Sequence, residues 1–342
     1  MKTAEMLRSL CTIPGVCGQE GMVNKHIVEL IQDYAESITT DPLGNLIVSI
    51  IPPVKDKPHI MIEAHVDEIG LIVTGIDDKG FIRVSNCGGI DRRALLGKEL
   101  VIHGDRDICG VVVTIPPHLQ ESGAKKKNPA IDDILIDTGM SKERLSKIVR
   151  EGSLVSFALN DCTLQGGLIC TKAADNRAGV CAVIKAIELL GRDSLQSVNC
   201  GLTLAFTTQE ELGRRGAATA AYSISPDVAV VVDTSFAHTP DAPEHKCGKQ
   251  GNGPMIGISP VLDRGLSEFL TKLSADSPHQ FEVMGGETGT NADAVGISGR
   301  GVKTALLSVP IKYMHTPAEV VDTADIDATA GLLAKFIKQY EV

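Results

Sequence analysis

The chain has 342 residues, 43% hydrophobic and 22% charged, with a formal net charge of −10. That length accommodates one large domain or two moderate ones, and the acidic balance argues against nucleic acid, whose phosphates need a basic footprint. Aromatics at 3% with no tryptophan argue against a polysaccharide cleft paved with stacking rings, and no apolar run approaches the roughly 20 residues of a membrane helix.

The opening segment, MKTAEMLRSLCTIPG, carries Glu5 and Arg8 and no signal-peptide core, so a cytoplasmic location is expected. Nine cysteines without a CxxC pair point the same way. They read as small buried hydrophobes in a reducing compartment, not as a disulfide framework or a zinc ribbon. From Gln19 to Ser37, residues Met22, His26, Ile27, Leu30 and Ile31 fall at helical spacing, with Asp33 and Glu36 on the wet side. Asp41-Pro-Leu-Gly-Asn45 turns into the strand LIVSII, and the next strand, HIMIEA, delivers His65.

From about Ile69 to Asp161 short strands dominate: GLIVTGI, FIRVSN, ELVIHG, ICGVVVTI and SLVSFAL, interrupted by the helix-like SKERLSKIVREG. Short strands separated by Gly, Asp and Pro turns suggest a small β-barrel or sandwich. The basic run Lys125 to Lys127 reads as a solvated loop tip. After Gln165 an α/β rhythm returns. RAGVCAVIKAIELLG reads as a helix stopped by Gly191, followed by strand LTLAFTT, a short helix around Gly216 to Tyr222, and strand DVAVVVD. A helix from about Thr323 to Tyr340 closes the chain. The expected class is α/β with the β-rich block inserted.

His65, Asp175, Glu211, Asp233 and His315 each stand at or just past the end of an apolar, strand-like run. The carboxyl ends of strands are where α/β sheets build their sites. Two imidazoles and three carboxylates suit two zinc-like ions sharing a bridging carboxylate. Taken singly, each has a plainer reading: His65 as a satisfied core histidine, Asp175 as a helix N-cap, Glu210 and Glu211 as an acidic helix start. Against that, adjacent acids after a buried strand repel unless a cation lies between them. One can hold metal while the other faces substrate as a proton shuttle. Asp67, two residues beyond His65, shares its face on an extended backbone and can fix the imidazole tautomer. Glu68 reads as an edge or turn charge. His26, His59, His103 and His118 fall on a helix, strand starts or turns, and His238 and His245 lie in the loop after Asp233. The run Gly285-Gly-Glu-Thr-Gly-Thr290 lacks the Lys of a phosphate loop. No serine elbow or dinucleotide fingerprint is present.

The segments AHVDEIG, KAADNRAG, TTQEELGRRGA, VVVDT, GNGP and PIKYMHTPAEV, in that order across essentially the whole chain, resemble the TET-type (tetrahedral) dinuclear metallo-aminopeptidases. That family includes glutamyl aminopeptidases and frv-operon-type members, some labelled endoglucanase. The resemblance implies a mixed-sheet exopeptidase (phosphorylase/hydrolase-like) catalytic domain from residues 1–67 and 163–342. Residues 68–162 would form an inserted β-barrel for dimerisation, with dimers building a dodecamer. It further implies that Asp175 bridges two divalent ions (zinc, with cobalt or manganese as alternatives). His65 and Asp233 would complete one ion's ligands, Glu211 and His315 the other's, with Glu210 as general base and Asp67 as orienting acid. The long gap between His65 and Asp175 matches this arrangement; bimetal carboxypeptidases and deacylases of the ArgE type carry their extra domain between the fourth and fifth ligands.

The activity so implied is release of N-terminal residues from short peptides through a two-metal bridging water. Deacylation on the same site and glycoside hydrolysis are the alternatives. Asn291 stands where the family usually has Asp, and Lys312 where Arg is usual, with specificity or subunit contacts as the properties affected.

Overall fold

The computed structural model describes residues 1–113, 129–240 and 242–340. His118 and the run Lys125 to Lys127 lie outside the described residues, as does the end of the segment ICGVVVTI. The chain opens with helices α1 (Thr3–Thr12) and α2 (Gly21–Ile31), then strands β1 (Ser37–Thr40), β2 (Leu46–Ile51) and β3 (His59–His65). Helix α2 ends at Ile31 rather than Ser37, because the β-branched run from Ile38 to Thr40 pairs with β2. Helix α1 was not expected from the sequence, yet it buries Met6, Leu7, Leu10 and Cys11 on one face.

Strands β4 (Gly70–Ile76), β5 (Ile82–Cys87), β6 (Glu99–His103), β7 (Asp107–Val113), β8 (Leu135–Asp137) and β9 (Leu154–Phe157) close into a barrel in the order β4-β5-β8-β7-β6-β9. Alternation along these strands fills its interior with Leu71, Val73, Ile82, Val84, Leu100, Ile102, Ile136 and Val155. The three-residue β8 is too short for its alternation to stand out in the sequence. Of SKERLSKIVREG only α3 (Lys142–Leu145) is α-helical.

The second half adds β10 (Cys162–Thr163), β11 (Ile169–Thr171), α4 (Ala174–Gln196), β12 (Gly201–Thr207), α5 (Arg215–Ile224), β13 (Val228–Phe236) and β14 (Met255–Ile258). Then follow α6 (Arg264–Leu273), β15 (Gln280–Val283), α7 (Asn291–Gly296), β16 (Lys303–Lys312), β17 (Glu319–Val321) and α8 (Thr323–Gln339). Gly191, with φ +63, breaks the α4 geometry, but the helix resumes and runs on to Gln196. The mixed sheet has the order β1-β2-β12-β3-β13-β16-β17-β11-β10, with β14 beside β16 and carrying β15. Its centre, β12-β3-β13-β16, is parallel. These strands are buried on both faces, which is why they read as continuous apolar runs.

Ile60, Ile62, Val230 and Val232 face α1, α4 and α8 in the larger core, while Met61, Ala229, Val231 and Leu306 face α5 and α7 in the smaller one. Strand alternation puts Glu63 and His65 on the same face as Met61, and Asp233 on the same face as Val231. Val231 is the register partner of Glu63, so Asp233 comes level with His65.

Candidate metal centre

The parallel strands deliver their side chains to one edge. His65 closes β3, Glu211 follows β12, and His315 follows β16. Asp175 follows β11 at the head of α4. Asp233 departs from the strand-end expectation, because β13 continues past it to Phe236. The extension is possible because β16 pairs with β13 as far as Ile311, well beyond the end of β3.

All five candidate ligands converge. His65 Nε2 lies 3.3 Å from Asp175 Oδ1 and 3.6 Å from Asp233 Oδ1. His315 Nε2 lies 3.4 Å from both Asp175 Oδ2 and Glu211 Oε1. Asp175 therefore turns one oxygen to each imidazole and belongs to two triads, each with its ligand atoms within 4.8 Å of one another. Its carboxylate caps no helix. Asn176 takes that part: its Oδ1 accepts from Gly179 N at 3.1 Å, and its Nδ2 donates to the Val232 carbonyl at 2.8 Å.

The positions around the triads explain how they are held. His65 Nδ1 lies 3.2 Å from the Asp67 carbonyl oxygen, which only accepts. Nδ1 thus carries a proton, which leaves Nε2, the nitrogen facing the two carboxylates, as the one a cation would take. The buried Asp67 carboxylate accepts from Glu210 N at 3.0 Å, Glu211 N at 3.1 Å and the Cys17 thiol at 2.9 Å. It sets the turn that presents both glutamates as well as contacting the imidazole. Glu210 belongs to neither triad.

Sequence reasoning missed further contributors. Glu319, buried at the start of β17, accepts from Asp175 N and from His315 N, each at 2.9 Å, and so ties together two site segments. Glu68 is not the edge charge expected: both of its oxygens face Lys172 Nζ, at 2.7 and 2.8 Å, and Gly15 N donates to it. The guanidinium of the buried Arg177 donates to the Val66 and Leu10 carbonyls, pinning the peptide after His65 to the end of α1. From the barrel, Gly88 and Gly89 press against the site. A Cβ on Gly88 would meet Glu211 at 3.2 Å, and one on Gly89 would meet His315 Nδ1 at 3.1 Å. Of these, Glu319, Glu68 and Arg177 lay inside segments already singled out (PIKYMHTPAEV, AHVDEIG and KAADNRAG), and the two barrel glycines did not.

Asn291 is buried beneath the site, where Nδ2 donates to Glu63 Oε1 at 2.7 Å and to Thr207 Oγ1 at 3.1 Å. It therefore bears on the floor of the site and not on a subunit surface. The remaining described histidines of the first half serve local bonds: His26 to Glu29 and Ser9, His59 to Thr203, His103 to Asp107 and Ser156.

Burial, reinforced by neighbouring acids, raises the carboxyls of Glu211 and Asp233 and pushes Glu210 up to about 9. Burial also opposes charge on His315, but Asp175 and Glu211 raise its imidazolium to about 11. His65 is raised well above its ordinary value by Asp175, Asp233 and Asp67, again against burial. Asp175 is held low by the two imidazoles despite burial. Protons on the imidazoles and on the raised carboxyls thus offset the crowded negative charge, and divalent cations in their place would leave Glu210 free to ionise. The buried Asp175 Oδ1 has no hydrogen-bond partner. Mixed imidazole and carboxylate donors around that oxygen fit divalent cations of the zinc type.

The cap at the head of α4 gives a first expected result. Gly179→Ala would place a Cβ 2.2 Å from Asn176 Oδ1. In an ordinary helix interior this change stabilises by about 1 kcal/mol. Here it should displace the amide and destabilise by about 1–3 kcal/mol for each buried bond lost. Urea unfolding reads the sign, and a higher midpoint than the parent would show that the cap does not depend on this glycine.

Comparison with known proteins places this geometry. A family model described as M42 glutamyl aminopeptidase matches residues 44–332. A lysyl aminopeptidase of Pyrococcus furiosus is 31% identical, covering 98% of this chain and 96% of its own. Among solved structures, an aminopeptidase of the archaeon Desulfurococcus kamchatkensis superposes with a TM-score of 0.91 at 32% identity, over 99% of this chain and 95% of that one. The TET1 peptidase of Pyrococcus horikoshii, described as able to assemble into a tetrahedron or a large octahedral shell, gives 0.86 at 31% identity, over 99% and 100%.

Proposed function

The chain belongs to the M42 glutamyl aminopeptidase family and is a peptide hydrolase, and from that premise we propose that it removes N-terminal residues from short peptides at a two-cation site. The observation that carries this reading is the sharing of Asp175 between two triads. His65, Asp175 and Asp233 would hold one divalent ion, and Asp175, Glu211 and His315 the other. When bound, such a pair polarises a scissile carbonyl and acidifies the attacking water.

The protein's own groups do the rest. A Glu210 carboxylate oxygen takes the proton of the attacking water and passes it to the leaving amine. Asp67 fixes the main chain of Glu210 and Glu211 and, through its carbonyl, the tautomer of His65. Glu319 fixes the main chain of Asp175 and His315. The surplus of acids favours a free α-ammonium group near the scissile bond, which suits an exopeptidase.

Residues 1–67 and 163–342 form the catalytic unit in this reading, and residues 68–162 the inserted barrel that mediates dimerisation. Zinc is the proposed native ion, with cobalt and manganese suited to the same donors. Assembly into a dodecamer, built from dimers in this reading, draws support from likeness to a TET1 structure described as a dodecamer. A cytoplasmic location is part of the same proposal, argued from nine cysteines without a CxxC pair. Among the described residues, no helix is long and apolar enough to cross a membrane.

Prolonged chelation is expected to abolish hydrolysis of free-amine aminoacyl amides and to lower Tm, because uncompensated carboxylates then repel. Zinc, cobalt or manganese added back should restore both. The substrate panel should span acidic and basic N-terminal residues, since the family description is glutamyl and the Pyrococcus furiosus relative is lysyl. N-acetylated counterparts should be inert; preferred cleavage of these would make the enzyme a deacylase. Activity and Tm that are indifferent to chelator would remove the cation reading and favour a glycosidase-like carboxylate pair.

A further inference from the structure

The β10–β11 hairpin, at the edge of the main sheet, carries two cysteines in register, Cys162 opposite Cys170. Directly opposed residues of an antiparallel pair project to the same face. Their Cα atoms are about 4.5 or about 5.5 Å apart according to the type of pair. Both values fall within the roughly 4.4–6.8 Å that a disulfide spans. Cys162 is exposed and Cys170 half-buried, so a small reagent reaches the first more easily. Burial, and next the neighbouring Cys162 sulfur, hold the Cys170 thiol above its ordinary range, which leaves Cys162 as the first to meet an oxidant.

The hairpin is also fixed in place. Arg8 of α1 pairs with Asp161 at 2.8 Å and donates to Thr163 Oγ1 at 2.7 Å, flanking Cys162. No other cysteine among the described residues offers this combination. Cys11 and Cys181 are near each other but sealed in the core, and the exposed Cys109 faces Val101 across its strand pair.

We propose that Cys162 and Cys170 form a reversible cross-strand dithiol–disulfide site, oxidised by small-molecule disulfides. The Cys162 thiolate attacks one sulfur of the oxidant, forming a mixed disulfide and releasing one small thiol. Cys170 then attacks the Cys162 sulfur, closing the protein disulfide and releasing the second small thiol. Two electrons pass from the protein sulfurs to the oxidant, whose two sulfurs leave with the two protons. The hairpin is one register step from the main-site scaffold, because β11 pairs Cys170 with Val320 and Thr171 with Glu319.

The test uses the full chain treated with oxidised glutathione, followed by alkylation of the remaining thiols and peptide mapping by mass spectrometry. The expected result is a species lighter by two hydrogens, with Cys162 and Cys170 joined in one cross-link that dithiothreitol reverses. Cys109→Ser should leave that cross-link intact. Cys162→Ser should abolish it and leave Cys170 alkylated. A stable glutathione adduct on Cys162 beside a free Cys170 would overturn the proposal. So would a bond from either residue to another cysteine, or failure of both to oxidise while Cys109 reacts.

Discussion

Glu210→Gln is expected to lower kcat by about 10²–10⁴-fold, the usual weight of a positioned general base, with metal content and KM close to those of the parent. The substitution is clean because Glu210 is fixed through its main-chain amide, which donates to Asp67 Oδ1 and is untouched by the change. An amide of the same shape fills the same space but takes up no proton. Glu210 contributes to neither triad, so each retains its three ligand residues. Glu211→Gln makes the contrast. It alters a member of the second triad, beside His315 Nε2, and should lose metal together with activity. Metal analysis and steady-state kinetics on the two variants separate the roles. A Glu210→Gln enzyme within about tenfold of the parent would take the proton transfer away from this residue.

The second large effect lies in the buried pair. Lys172 and Glu68 are 2% and 1% exposed and have each other as charge partner. Lys172→Met would leave Glu68 as an uncompensated charge, which costs about 3–5 kcal/mol when one partner of a buried pair is removed. The double variant Lys172→Met with Glu68→Gln should recover most of that loss. The amide side chain that replaces the Glu68 carboxylate keeps an oxygen for Gly15 N, and no charge remains in the pocket. Urea midpoints across the cycle measure the coupling. If the single and double variants lose the same stability, the pair contributes only packing, and the ionic account fails.

These two sites differ in how far the sequence exposed them. The central strands were legible because burial on both faces leaves unbroken apolar runs: HIMIEA, LTLAFTT and DVAVVVD. Strands β14 and β15 were not assigned. Glu282 of the edge strand β15 is bonded across β14 to Ser308 of β16, and such a polar contact leaves no periodic trace. The five candidate ligands could be picked out by position because each interrupts or follows a buried run. Glu68 was misjudged for the opposite reason: its neutralising Lys172 stands 104 residues away. Asn291 was marked only by its departure from a family pattern, and its hydrogen bonds to Glu63 and Thr207 arise where three separate segments meet.

The spread of the site along the chain also bears on how the protein matures. His65, Asp175, Glu211, Asp233 and His315 belong to five stretches that meet only when the parallel strands are in place and the chain has returned from the barrel. Each meeting closes a long loop, which is entropically costly and slow compared with forming local turns. Both triads need the chain from His65 through to His315. A hydrolase built this way is silent as a nascent or half-folded species, and cleaving peptides becomes a late reward of folding. Activity in a refolding experiment should therefore lag behind recovery of secondary structure, with no separate inhibitory segment required.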